Sequence, residues 1–308
     1  MVQRRVVIVV PARNEQARIG ACLQHLTTLA TDRRVIALEI LVLANNCTDA
    51  TVERVQAFPA RPSAPVMVDS VALPPKDAHA GWARRLAFDA GARRLASPQD
   101  LLLCTDADTR VARDWLLKTL DHIDAGYDAV AGFARLDPRE LRRLDPAHRT
   151  RLAAVRRYDD ACCYLKAARM SDEPWPRHFY EGGASIALTL AAYRSTGGAP
   201  TPHVGEDKAL FDALRAAGRR IRHPKDVRVL TSCRTDGRAP EGAADTLARW
   251  GALDLHEGLQ GLDPVMAALG APIANDHALT FHTLPGETVV ARSIVRTLRS
   301  ARTMAQAS

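Results

Sequence analysis

The sequence has no long apolar run, few aromatics, very little lysine and no paired cysteine motif. Each absence removes a class of protein. The longest apolar runs, Val6 to Pro11 and Leu101 to Cys104, are far too short to cross a bilayer. Arg4 and Arg5 precede a short β-branched run without a cleavage site, so no signal peptide is expected and the chain is read as cytosolic. The six cysteines (Cys22, Cys47, Cys104, Cys162, Cys163, Cys233) contain no C-x-x-C pair, which argues for reduced, mostly buried thiols rather than a zinc site or a disulfide framework. No G-x-G-x-x-G and no G-K-[ST] occurs, which disfavours dinucleotide dehydrogenases and P-loop enzymes.

What is present is an ordinary globular composition. The 308 residues are 47% hydrophobic and 25% charged, enough apolar material for a sizeable core without covalent staples. The net charge is +7, carried by arginine, since lysine occurs only at Lys76, Lys118, Lys166, Lys208 and Lys225. A basic surface suits phosphorylated ligands or an anionic lipid surface. No aromatic-interleaved basic stretch resembles a nucleic-acid module, so no nucleic-acid partner is expected. Peripheral membrane contact stays open, with an arginine cluster over Arg142–Arg157 as its candidate and a solvated helical face as the plainer account.

Strand and helix signals alternate through the first 132 residues. Val6–Val10, Leu38–Leu43, Val66–Val71, Leu101–Cys104 and Asp128–Gly132 read as strands. Between them, Ile19–Leu26, a segment around Val52 and Val55, Ala80–Leu95 and Ala112–Ile123 read as helices. This alternation predicts an α/β fold, a Rossmann-like, mostly parallel central sheet flanked by helices. Further on, Pro146 to Met170 reads as a long arginine-rich helix and Asp172–His178 as a loop. Gly205-Glu206-Asp207 opens a helix and Val227–Leu230 forms a last strand. Helices are expected over Ala243–Leu259 and Val289–Met304.

In such sheets ligands gather at the carboxyl ends of the strands. Three polar clusters fall there: Arg13-Asn14-Glu15, Asn45 to Asp49, and Asp106-Ala107-Asp108. Two carboxylates two residues apart on a strand-end turn can converge on one hard cation such as Mg²⁺ or Mn²⁺. Phosphates would then supply the remaining oxygens. The competing account is that Asp108-Thr109 caps the next helix.

In order and spacing, Pro11-Ala12-Arg13-Asn14-Glu15, Asn45-Asn46-Cys47-Thr48-Asp49-Ala50-Thr51, Thr105-Asp106-Ala107-Asp108 and Gly205-Glu206-Asp207 resemble family 2 glycosyltransferases. The resemblance runs from about Val6 to Arg238. It implies a GT-A fold with a nucleotide-sugar-binding half over residues 1–132. An acceptor-binding, catalytic half would follow at 133–240, and the helices expected beyond the resemblance make 241–308 a C-terminal helical extension. It also implies a nucleotide-diphosphate sugar donor, UDP-sugar favoured by family frequency, with Mn²⁺ or Mg²⁺ held by Asp106 and Asp108. Transfer to an acceptor hydroxyl would invert the anomeric centre, with a retaining enzyme or a silent sugar-nucleotide binder as alternatives.

Carried over by position, Pro11, Ala12, Arg13 and Glu15 form the first nucleotide-contacting loop. Asn45 stands where the family has an acidic base-contacting residue. Arg84 or Arg85 reaches the nucleotide from the Ala80–Leu95 helix, and Ala107 lies between the two metal carboxylates. Asp207 is the general base and Glu206 orients base or acceptor. Gly183, in Gly182-Gly183-Ala184-Ser185, lets donor and acceptor approach the backbone. Read from the residues themselves, Arg234 and Arg238 in the basic loop after the last strand are candidates to close over the diphosphate, with a solvated surface as the equal alternative. His203, His223 and Asp236 are candidates for a third metal ligand. Trp175, Trp250, Tyr164 and Phe179 are candidates for stacking an acceptor sugar.

Overall fold

A computed structural model describes residues 2–169, 173–238, 241–259 and 279–307, so Met170 and Asp172 lie outside the described residues. The chain divides into two compact units. One comprises residues 1–137, 180–232 and 238–242, the other 138–179, 233–237 and 243–308.

In the first unit the β-branched run after Arg4 becomes β1 (Arg4–Ala12), with β2 (Val35–Asn45) and β4 (Leu101–Cys104) parallel on its two sides. β3 (Val66–Val71) pairs parallel with β2 at one edge. The sheet continues through β8 (Ile186–Thr189) and β6 (Ala129–Ala131) to β9 (Ile221–Arg222), in the order β3-β2-β1-β4-β8-β6-β9. It is mostly parallel, as the alternation predicts. The exception is β8, which runs antiparallel to both β4 and β6.

Side chains of β1 alternate between two cores, the period-2 consequence of the pleat. Val6, Ile8 and Val10 pack with Ile19, Leu23 and Leu26 of α1 (Ile19–Leu26), Val55 of α2 (Thr51–Gln56) and Trp115 of α4 (Trp115–Asp124). Val7 and Val9 pack on the other face with Phe88 of α3 (Ala80–Ala92) and with Leu190 of α7 (Leu190–Ser195). Phe211 of α8 (Glu206–Ala216) completes that layer. Helices on both faces therefore bury the central strands completely.

α3 lies unusually close to the sheet at Gly91. A Cβ there would sit 2.6 Å from Val9 Cγ1 and 2.7 Å from Leu102 Cδ1. Gly91→Ala is expected to lower stability, because overpacking costs about 1–3 kcal/mol against about 1 kcal/mol returned in helix propensity. A urea midpoint that rises on substitution would contradict this packing.

A small second sheet, in the order β5-β10-β7, joins β5 (Arg110–Val111), β10 (Arg228–Thr231) and β7 (Phe133–Leu136). The sequence pattern misses β5 and β7. β5 ends at Val111 and the Ala112 amide still bonds to the Arg228 carbonyl beside it, so α4 begins only at Trp115, three residues after the predicted start.

The second unit contains α5 (Pro138–Leu141), α6 (Pro146–Arg169), α9 (Ala243–Ala252) and α10 (Leu284–Ala307). Its core joins Val155, Tyr158, Cys162 and Leu165 of α6 to Leu284 and Ala291 of α10. α9 stops seven residues short of the predicted Leu259, whose backbone instead pairs with Leu279. Within this unit Tyr164 and Trp175 meet edge to face at 5.0 Å. Phe179 is covered by the Arg177 guanidinium at 4.4 Å and Lys166 Nζ at 5.0 Å, while Trp175 keeps 42% of its surface exposed. No helix among the described residues is long and apolar enough to cross a membrane.

Candidate functional site

Parallel strands β1, β2 and β4 end side by side, so the loops that leave them share one edge of the sheet. The first two loops are laced together by polar bonds. Asn14 adopts a left-handed conformation (φ 54°), one that asparagine tolerates better than most residues, and its Oδ1 accepts the Thr48 amide at 2.8 Å. Glu15 donates its backbone N–H to Thr51 Oγ1 at 2.8 Å, and Asp49 accepts the Gln16 amide at 3.1 Å and the Thr51 amide at 3.0 Å. Burial works to raise the Asp49 pKa, but the hydrogen bonds from Thr51 and Gln16 outweigh it and hold the carboxyl below its ordinary value. Asp49 is thus a bracket between loops. Thr51 and Gln16 share that work, and no spacing in the sequence marks them.

Pro11 and Ala12 end β1, the Ala12 side chain being buried. Arg13 donates to the Ala78 carbonyl at 3.0 Å, which ties the first loop to the approach to α3. Arg238 donates to the Asn14 carbonyl at 3.3 Å, which brings the late loop onto the first one. Asn45 is buried as the last residue of β2. Its neighbour Asn46 (φ 49°) clamps Leu73 with both amide atoms, at 2.9 and 3.1 Å. Arg234 belongs to the second unit.

Past β4, Thr105 is buried and donates its hydroxyl to the Ala184 carbonyl at 2.8 Å. Asp106 and Asp108 are partly exposed on either side of the buried Ala107. The capping alternative for Asp108 fails: the next element is β5, and α4 has Asp114 at its N-cap. Two carboxylates presented at a strand end supply oxygen donors of the kind a hard divalent cation takes. Among the described residues no group of three or more His, Cys, Asp or Glu could enclose a metal.

α8 approaches the same place. Gly205 (φ 75°) starts it in a left-handed turn and puts Glu206 and Asp207 in the first turn, where the helix dipole favours carboxylates. Asp207 Oδ2 accepts the Gly183 amide at 2.9 Å and its Oδ1 accepts the Lys208 amide at 2.8 Å. Burial pushes the Asp207 carboxyl above its ordinary range and Glu206 adds to this, with Arg84 pulling the other way.

Arg84 and Arg85, adjacent in sequence, diverge completely. Arg84 points inward and donates to Asp106 Oδ1 at 3.2 Å, to Glu206 Oε1 at 3.2 and 3.3 Å and to the Gly183 carbonyl at 3.2 Å. Burial alone would lower its pKa, but Cys104, Asp106, Glu206 and Asp207 hold it well above the usual value. Arg85 is bound to Asp89 at 2.9 Å and to the Gly197 and Ala199 carbonyls at 3.0 Å each. The helix thus turns the Arg85 side chain toward the loop after α7.

Of the third-ligand candidates, His223 pairs with Glu181 at 3.0 Å and Asp236 lies in the second unit. His203 stacks at 4.1 Å on His79, a residue at the start of α3 for which the sequence shows no signal. Burial and the His203 ring lower the His79 pKa, with Asp77 and Glu206 opposing.

Comparison with known proteins adds two findings. The family model described as "Glycosyl transferase family 2" matches residues 7–167, slightly more than half of the chain. Among solved structures, the chain resembles mannosyltransferase PcManGT from Pyrobaculum calidifontis in complex with GDP-Man and Mn²⁺. The TM-score is 0.53 at 21% identity, covering 99% of this chain and 84% of that one. It also resembles S. aureus TarS 1-349 in complex with UDP-GlcNAc, with TM-score 0.50 at 15% identity, covering 93% and 70%. A search of the curated proteins gives no match.

Proposed function

The chain belongs to glycosyl transferase family 2 and is a glycosyltransferase of GT-A fold, and on that premise we propose a metal-dependent, inverting transfer from a nucleotide-diphosphate sugar to an acceptor hydroxyl. The observation that carries the proposal is the meeting of the Asp106 strand end with the Glu206–Asp207 helix start through Arg84 and Gly183. A donor-side carboxylate and a base-side carboxylate are thereby held in one small volume.

Asp106 and Asp108 would hold Mn²⁺ or Mg²⁺. When bound, the ion supplies charge neutralisation to the leaving diphosphate. Pro11, Ala12, Arg13, Glu15 and Asn45 lie along the first two loops on the nucleotide side. Arg238 reaches the first of these loops by its bond to Asn14. Asp207 takes the proton of the acceptor hydroxyl as its oxygen attacks the anomeric carbon and the bond to the diphosphate breaks. Its elevated pKa suits that work, since a base with a pKa nearer neutrality accepts a proton more readily. Glu206 shares Arg84 with Asp106 and orients the base end.

The two structural neighbours are complexed with UDP-GlcNAc and with GDP-Man, which supports a sugar-nucleotide donor without selecting the base. UDP-sugar is the donor we propose first, on family frequency. Titration calorimetry with UDP, GDP, CDP and dTDP, with and without Mn²⁺, tests the reading. One nucleotide should bind at least about tenfold more tightly with the metal, because an ion held by Asp106 and Asp108 would neutralise the diphosphate charge. Equal affinity without metal, or no binding to any of the four, would sink it.

A further inference from the structure

Resting on that reading, we infer that Arg84 is a positioning residue that locks the metal-binding carboxylate to the base, and that it makes no contact with the nucleotide. A guanidinium has five N–H donors in a fixed plane. In Arg84 every one is used inside the protein. Nε donates to Glu206 Oε1 at 3.3 Å. Nη1 donates to the Gly183 carbonyl and to Cys104 Sγ, both at 3.2 Å. Nη2 donates to Asp106 Oδ1 and Glu206 Oε1, both at 3.2 Å. Its side chain is 8% exposed, so a diphosphate outside the strand ends would find neither a donor nor a surface to bind.

The arrangement has two consequences. Asp106 Oδ1 is held by the guanidinium, which restrains the plane of the carboxylate and would leave Oδ2 for a cation. The same guanidinium grips the carbonyl of Gly183, whose amide holds Asp207 Oδ2 at 2.9 Å. Asp106, Arg84, Gly183 and Asp207 thus form one connected chain of hydrogen bonds from metal ligand to base. Glycine is required in it, because a Cβ at position 183 would land on the Arg84 guanidinium. Lysine at position 84 would bring a point charge with three donors, and cannot span two carboxylates and a carbonyl.

The test uses the full chain and Arg84→Lys, with Gly183→Ala as a second variant that keeps the arginine but displaces it. Mn²⁺ affinity is read by electron paramagnetic resonance in the presence of UDP or GDP, whichever the wild type binds with metal. Nucleotide affinity is then read at saturating Mn²⁺, and the pH profile from slow donor hydrolysis. Both variants should weaken Mn²⁺ binding by roughly 10–100-fold, the usual cost of losing a partner of a metal ligand. Nucleotide affinity at saturating Mn²⁺ should stay within about threefold, since no contact with the nucleotide is removed. The acid limb of the profile should move to higher pH, because the displaced or shortened cation lies farther from Asp207 and favours its charged form less. Nucleotide affinity falling about tenfold at saturating Mn²⁺, with Mn²⁺ affinity and the acid limb unmoved, would make Arg84 a phosphate ligand and overturn the inference. Failure of the underlying reading shows separately, as wild-type nucleotide binding that ignores Mn²⁺.

Discussion

Asp207→Asn should lower sugar transfer by about 10²- to 10⁴-fold, the range a general base contributes, while metal-dependent nucleotide binding is retained. An acceptor hydroxyl is far too weak an acid to ionise unaided at neutral pH, and the amide of asparagine cannot take its proton. The substitution is close to isosteric, and the acceptor bonds from the Gly183 and Lys208 amides can persist on the remaining carbonyl oxygen. The loss should therefore appear in kcat, with the donor KM little changed. A mutant with wild-type turnover would rule out Asp207 as the base.

As the proposed base, the same residue should set the pH dependence. Burial raises the Asp207 pKa, and only the ionised carboxylate can accept a proton. Rate therefore falls as pH drops through that raised value, and the acid limb should lie above the ordinary aspartate pKa of about 4. An acid limb at or below that value would show that another group carries the proton.

Asp106→Asn and Asp108→Asn should each remove metal-dependent donor binding and lower transfer on the order of 100-fold or more, since an ion held by these carboxylates would contribute several kcal/mol to stabilising the leaving diphosphate. The two variants should differ in stability. Asp108→Asn is expected to be nearly neutral, because its side chain is partly exposed. Asp106→Asn takes one negative charge from the buried Arg84 and should lower the thermal midpoint, softened because Glu206 still pairs with that guanidinium at 3.2 Å. Thermal unfolding with and without Mn²⁺ and nucleotide separates the effects: both variants should lose the ligand-induced rise in Tm.

Much of the fold is legible before any coordinates. β3 and β4 carry the boundaries that hydrophobic runs predict, and both cores follow from the alternation within β1. β8 is a different case. Ile186–Thr189 is a four-residue apolar stretch, and nothing in such a pattern says whether a strand runs parallel or antiparallel to its neighbours. β5 and β7 are two and four residues long and gain their ladder only from β10, about 100 residues later in the chain.

The sequence by itself determined which residue types stand at the strand ends: Asp106 and Asp108 after a buried strand, Glu206 and Asp207 at a helix start, and small residues at Gly182-Gly183. Chain order and local chemistry are enough for that, because strand, turn and helix signals are short-range. Tertiary structure alone decided what those residues touch. It denied Asp108 the role of helix cap by inserting β5, and it made Asp49 a bracket between loops. It also chose between two adjacent arginines, since neighbours on a helix point about 100° apart. Arg84 alone faces Gly183 and Glu206, residues 99 and 122 positions away that fold back onto α3. Burial of that guanidinium, and with it the proposed coupling of donor side to base side, depends on long-range packing that no local pattern encodes.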